Sequence, residues 1–183
     1  YLYIGVIKLI TLIMKSLPGP SRRYIIFTLL ILFVFPYYLV SQSALTVGEV
    51  STVPGEKKSG YITVPGGEDD GPVKIPVTVI NGEKDGPTLA LVAGVHGYEY
   101  PPVLAMTKLS MELDPSDISG KVIIVHVANI PSFLKRTVYY NPYDWQNFNR
   151  VFPGKIDGTS SERIAWQITQ EVIDKCDYLI DNH

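Results

Sequence analysis

The chain has 183 residues, 46% of them hydrophobic and 19% charged, with 16 Lys and Arg, 18 Asp and Glu, three histidines and one cysteine. That composition excludes an intrinsically disordered chain, and the lone cysteine excludes a disulfide framework or a thiolate zinc module. A formal charge of −2 argues against a nucleic-acid binder, which presents a basic face.

The averages hide two unlike regions. Before residue 45 the only charges are Lys8, Lys15, Arg22 and Arg23, a leader of charge +4. All 18 acidic residues lie at or after Glu49, so the body carries −6. Residues 25–40 are an uncharged run behind Arg22-Arg23, followed by Ser41-Gln42-Ser43-Ala44. A basic start, an apolar run and a small-residue end describe a secretory signal, with translation expected to begin at Met14. The rival reading is a retained membrane anchor, for which 16 residues interrupted by Pro36 fall short of the roughly 20 a span needs. On either reading residues 45–183 are extracytoplasmic, periplasmic or secreted, and meet a membrane only through an uncleaved leader.

Within 45–183, Gly66-Gly67 to Gly71-Pro72 form a turn-rich loop, and residues 73–80 are β-branched enough for a strand. Asn81-Gly82 and Asp85-Gly86-Pro87 bound the next turn. Residues 88–93 are a continuous apolar run, as in a strand buried on both faces. Residues 101–113 have helical spacing with proline at the start, and residues 121–127 read as a second buried strand. Residues 160–175 read as a helix capped by Ser160, with Ile164, Ile168, Val172 and Cys176 on one face. Residues 178–181 read as a third apolar strand. This alternation predicts an α/β domain with a mainly parallel or mixed sheet and flanking helices, residues 73–80 being an antiparallel or edge addition.

Three groups of residues could carry chemistry. His96 and Glu99 stand in a glycine-bearing loop at the carboxyl end of a strand, where ligands bind in open α/β sheets. An imidazole and a carboxylate there supply two of zinc's ligands, although the bare H-x-x-E pattern is more often a solvated pair. Asp181-Asn182-His183 also follows an apolar strand and brings a second histidine to the same edge, with Asp181 able to hold an imidazole. A frayed terminal histidine is the plain alternative. Finally, Arg136, Asn149 and Arg150 flank an aromatic loop (Tyr139, Tyr140, Tyr143, Trp145, Phe148); a guanidinium grips a carboxylate bidentately, although an Asn-Arg pair in a loop is usually just surface. Plain readings suffice for His126 (a satisfied sheet histidine), Cys176 (a buried inert thiol), Ser160-Ser161 (capping) and Trp166 (core).

Taken together, Gly94-Val95-His96-Gly97-Tyr98-Glu99, Ala128-Asn129-Ile130-Pro131-Ser132-Phe133, Asn149-Arg150-Val151-Phe152-Pro153-Gly154 and Tyr178-Leu179-Ile180-Asp181-Asn182-His183 resemble the succinylglutamate desuccinylase/aspartoacylase family of zinc-carboxypeptidase-like hydrolases. The resemblance implies one zinc ion on His96, Glu99 and His183. It also implies Arg136 at the substrate or its scissile carbonyl, and Asn149 with Arg150 on the substrate carboxylate. Tyr98, Asn147-Phe148 and Asn182 depart from the family's usual residues. The family's general base lies downstream of its third zinc ligand and matches no residue here, so residues 45–183 are expected to hold only the N-terminal part of the catalytic domain, truncated at the C-terminus. The implied reaction is hydrolysis of an amide in a small carboxylate-bearing substrate, as in N-acyl amino acid deacylation. The alternatives are an extracytoplasmic carboxypeptidase acting on peptides, or a non-catalytic binding module.

Overall fold

The computed structural model describes residues 43–183; the expected leader, apart from Ser43 and Ala44, lies outside them. Among the described residues no helix is long and apolar enough to cross a membrane. The chain builds β1 (Leu45–Val47), β2 (Val50–Thr52), β3 (Glu56–Val64), β4 (Val73–Asn81) and β5 (Lys84–Ala93). It continues with α1 (Tyr100–Glu112), β6 (Ser119–Val125), α2 (Ile130–Lys135), α3 (Ser160–Glu171) and β7 (Tyr178–Asn182). Short 3₁₀ turns lie at Pro115–Asp117, Phe148–Arg150 and Ile173–Lys175.

β1 and β2 form a small antiparallel hairpin, and the other strands form one sheet in the order β3-β4-β6-β5-β7. β3 pairs antiparallel with β4, and β4 with β6; β6–β5 and β5–β7 are parallel. The expected α/β architecture with a mixed sheet is the one observed. The β5 and β6 runs are apolar on both faces because helices and loops cover both sides. On one face Ile75, Val77, Val79, Ala90, Val92, Ile123 and Val125 pack with Ile164 and Ile168 of α3 and with Phe148. On the other, Ile80, Leu91, Ala93, Val122 and Ile124 pack with Met106 of α1. Each fully buried Ile or Val contributes about 1.5–3 kcal/mol relative to its exposed state.

Several local expectations need correction. Residues 73–80 pair antiparallel as expected but are interior, because β3 lies outside them. β3 itself escaped the pattern: it opens Glu56-Lys57-Lys58-Ser59-Gly60, and only Ile62 and Val64 are buried. The cap of α3 is Thr159, not Ser160, in a reciprocal capping box with Glu162. The helix also ends at Glu171 and tightens into the 3₁₀ turn, keeping Ile164, Ile168 and Val172 buried. Residues 178–181 lie in β7 as expected, paired with β5, with Tyr178, Leu179 and Ile180 exposed by 64%, 44% and 49%. Trp166 is only partly buried.

Candidate metal centre

β5, β6 and β7 run parallel, so their carboxyl ends share one edge of the sheet. Ala93 is the register partner of Asn182, which brings the loop after β5 beside the residue after β7. His96 and His183 meet there with ring centroids 5.2 Å apart.

The loop 94–99 is shaped by backbone packing. Gly94 turns it at φ +67°, and a Cβ on Gly97 would lie 2.0 Å from the Thr137 carbonyl oxygen, so only glycine fits against the chain leaving α2. Asn129 pins the loop from beneath. It is fully buried, its Nδ2 donates to the Val95 carbonyl, its Oδ1 accepts the Ser132 N–H, and its backbone N–H donates to the Gly94 carbonyl. α1 begins directly after Glu99, with prolines in its first turn. The Glu99 carboxylate does not cap that helix; it turns back to His96. Oε2 accepts the His96 backbone N–H at 2.9 Å and Oε1 lies 2.6 Å from Nδ1.

One donor atom from each of His96, Glu99 and His183 lies within 4.8 Å of the others. Two imidazoles and a carboxylate in that spacing are a donor set for a divalent metal, with room for a further ligand on the open side. The His96 and Glu99 side chains are 12% and 15% exposed and that of His183 37%, so the cluster is walled on one side and open on the other. Around it, Asn147 Oδ1 lies 3.1 Å from His96 Nε2, Asn149 Nδ2 lies 3.1 Å from His183 Nε2, and Asp181 Oδ2 lies 3.3 Å from His183 Nδ1. Burial pushes the Asp181 carboxyl up; His183 and His96 pull against that, while the Glu99 carboxylate adds to it. The Tyr139 ring meets the His96 ring edge-on at 5.6 Å.

The other anticipated residues stand nearby in less committed poses. Arg136 ends α2 in the left-handed conformation (φ 56°) with an exposed side chain. Arg150 is exposed and reaches only the carbonyl oxygen of Asn149. Among the described residues neither guanidinium pairs with a carboxylate. Beside the cluster opens a cavity of about 240 Å³ lined by Val92, Val95, Asn149, Phe152, Leu179 and Asp181 among others. A wider depression around the Gly66-Gly67 loop and Arg163 contains none of the cluster. His126 is a satisfied sheet histidine, with Nε2 2.9 Å from the Thr78 hydroxyl. Burial raises the Cys176 thiol, the direction of an unreactive group. Sequence reasoning missed the roles of Asn129, Asn147 and Tyr139. Of these, only Asn129 left a local signal, an Asn three residues before Ser132 with Pro131 between, as at a helix start.

Comparison with known proteins agrees with this geometry. The succinylglutamate desuccinylase/aspartoacylase catalytic domain matches residues 85–183. The N-alpha-acetyl-L-2,4-diaminobutyric acid deacetylase of Halomonas elongata is 40% identical over 129 residues, 68% of this chain and 36% of the enzyme. An aspartoacylase family protein from Mesorhizobium loti superposes with a TM-score of 0.66 at 34% identity, covering 72% of this chain and 41% of that one. The product-bound ectoine utilization protein EutE of Ruegeria pomeroyi superposes with a TM-score of 0.62 at 34% identity, covering 71% and 41%. The chain thus spans about two-fifths of the length of these relatives.

The expectation that residues 45–183 are the N-terminal part of the catalytic domain is corrected by the position of the match, which covers the C-terminal part of this chain and leaves residues 45–84 ahead of it. The physical reason is that β3 and β4 share one core with β5 and β6, so no break in apolar pattern marks where the matched region begins. The match, the parallel strand ends and the His-Glu-His cluster lead to one conclusion: the chain belongs to the succinylglutamate desuccinylase/aspartoacylase family.

Proposed function

We propose that the protein is a zinc-dependent hydrolase that removes an acyl group from a small carboxylate-bearing substrate by cleaving its amide bond. The observation that carries this reading is the convergence of His96, Glu99 and His183 from two parallel strand ends. These three residues would hold one zinc ion. Zinc, when bound, makes its water acidic and polarises a carbonyl oxygen. Arg136, with its exposed guanidinium, stabilises the oxygen that gains charge as the amide is attacked. Arg150 grips the substrate carboxylate as a planar fork, and Asn149 adds a donor beside it. Tyr139 meets the His96 ring edge-on. The Halomonas relative is named for deacetylating an N-acetylated amino acid, which supports that substrate class here. The +4 apolar leader supports a site of action outside the cytoplasm, the leader being residues 1–44 and the hydrolase residues 45–183.

The test is a panel of N-acyl amino acids and short peptides assayed with chelator-stripped protein, before and after zinc. Hydrolysis of the N-acyl amino acids that vanishes on stripping and returns with zinc is expected, as is loss of both zinc and hydrolysis in His96→Ala. Full activity without metal overturns the reading, and cleavage of the peptides alone turns it into a carboxypeptidase.

A further inference from the structure

Ile130 and Leu134 are four residues apart, as are Pro131 and Lys135, so the four share one face of α2. Between that face and the start of β4 lies a groove of about 380 Å³, floored by Val73, Ile130, Pro131 and Leu134. Lys74, Lys135 and Tyr143 also line it, and no residue of the metal cluster does. Its volume falls within the roughly 300–1,000 Å³ of small-molecule sites. Among the described residues no carboxylate lines it, although residues 45–183 carry a charge of −6.

The carboxylates nearest in sequence are engaged elsewhere. Asp70 pairs with Arg163. Asp144, next to Tyr143, accepts the Ser161 backbone N–H at 2.6 Å and the Ser161 hydroxyl at 2.9 Å. Glu49 approaches Lys74 at 3.9 Å, while Lys135 is exposed and makes no ion pair among the described residues. Two lysines against one carboxylate leave one positive charge at an apolar floor. Leu134, next to Lys135, is 69% exposed, and the half-exposed Tyr143 offers an apolar ring with a hydroxyl donor.

We propose that the groove between α2 and the start of β4 binds a carboxylate carried on an apolar chain, a fatty-acid-type anion, with Lys135 on the carboxylate and Leu134 along the chain. One residual positive charge matches a monoanion better than a doubly charged phosphate. The lysine stems extend the apolar floor while their ammonium groups stay in water. A concave groove of this size suits one chain, whereas a bilayer presents a plane and a stable protein partner needs roughly 800 Å² on each side.

The experiment is calorimetric titration of the full chain with dodecanoate below its micelle concentration, set against dodecyltrimethylammonium, the same chain length with the opposite charge. The wild type is expected to bind dodecanoate and to prefer it to the cation. Lys135→Glu is expected to bind dodecanoate at least about tenfold more weakly and to gain affinity for the cation, a reversal that an unfolded variant could not give. Leu134→Ser is expected to weaken dodecanoate binding while keeping the preference for the anion. Both residues are exposed, so the fold tolerates either change. No dodecanoate binding, or equal affinity in the wild type and Lys135→Glu, overturns the proposal. So does binding to phosphatidylglycerol vesicles, lost in Lys135→Glu, without binding of free dodecanoate: the groove then faces a membrane. A wild-type dimer that Lys135→Glu splits also overturns it and assigns the groove to a second copy. None of these outcomes bears on zinc uptake, so the hydrolase reading stands or falls separately.

Discussion

All three histidines of the chain follow the carboxyl end of a parallel strand, yet they meet different fates. His96 after β5 and His183 after β7 face each other, two side chains from parallel neighbours with only loop between them. His126 after β6 has antiparallel β4 on its other side. Its backbone N–H donates to the Pro76 carbonyl, and its imidazole lies against the Thr78 hydroxyl, itself 2.8 Å from the Ser59 hydroxyl. Where two parallel strands end together, the imidazoles face each other and join Glu99 in one donor cluster. Where an antiparallel strand runs past, its side chains satisfy the imidazole. Strand direction at the junction, more than residue type, separates the candidate metal-binding cluster from a structural hydrogen bond.

The sharpest way to break this comparison is to weaken the shared core beneath both junctions. Ile123 sits fully buried in the middle of β6, paired with Val79 of β4 and Ala90 of β5. Ile123→Ala is expected to lower unfolding free energy by about 2–5 kcal/mol. The same variant, measured well below its melting temperature, should keep wild-type zinc affinity. A marked loss of affinity would mean that the parallel ends are not a rigid platform and that core strain reaches the site.

A smaller effect tests α3, whose Ile168 lines the cavity beside the cluster. The Thr159 side chain caps α3, and Glu162 bonds back to the Thr159 backbone N–H at 3.0 Å. Losing that cap in Thr159→Ala should cost about 1 kcal/mol in chemical denaturation. Gln146 Nε2 also donates to the Thr159 hydroxyl, at 2.7 Å. If the cost greatly exceeds a cap, the hydroxyl is holding the aromatic loop as well as the helix.

Much of this was legible in the sequence, for a physical reason. β5, β6 and α3 bury one continuous set of apolar residues, so their periodicity marks them, and H-x-x-E after a buried run marks the site. β3 was not legible because its first half is solvated and its lysines are occupied elsewhere: Lys57 Nζ donates to the carbonyls that end α1, including Leu113 at 2.6 Å. Nor could spacing show that Asn147, 51 residues from His96, meets its imidazole. That contact comes from the return of the aromatic loop, bridged at Tyr140 and Asn147.

The gentlest test is pH, because burial alone lowers the pKa of His126. In the folded chain the imidazole prefers to stay neutral against the Thr78 hydroxyl, whereas in the unfolded chain it titrates near 6.5. Between the folded and unfolded values the unfolded chain therefore binds more protons, so stability rises with pH across that window. The contribution is whole above the unfolded value and is lost as pH falls through the window to the folded one. His126→Asn keeps a polar group opposite Thr78 but has no proton to gain. Its denaturation midpoint, compared with the wild type at pH 7.5 and pH 5.5, should fall less on acidification. The two proteins differ only at residue 126, so the difference between the two slopes isolates the β4–β6 junction. Equal slopes would mean that Thr78 and Ser59 rearrange to accept an imidazolium, and that the antiparallel junction is no less able than the parallel one to host a charge.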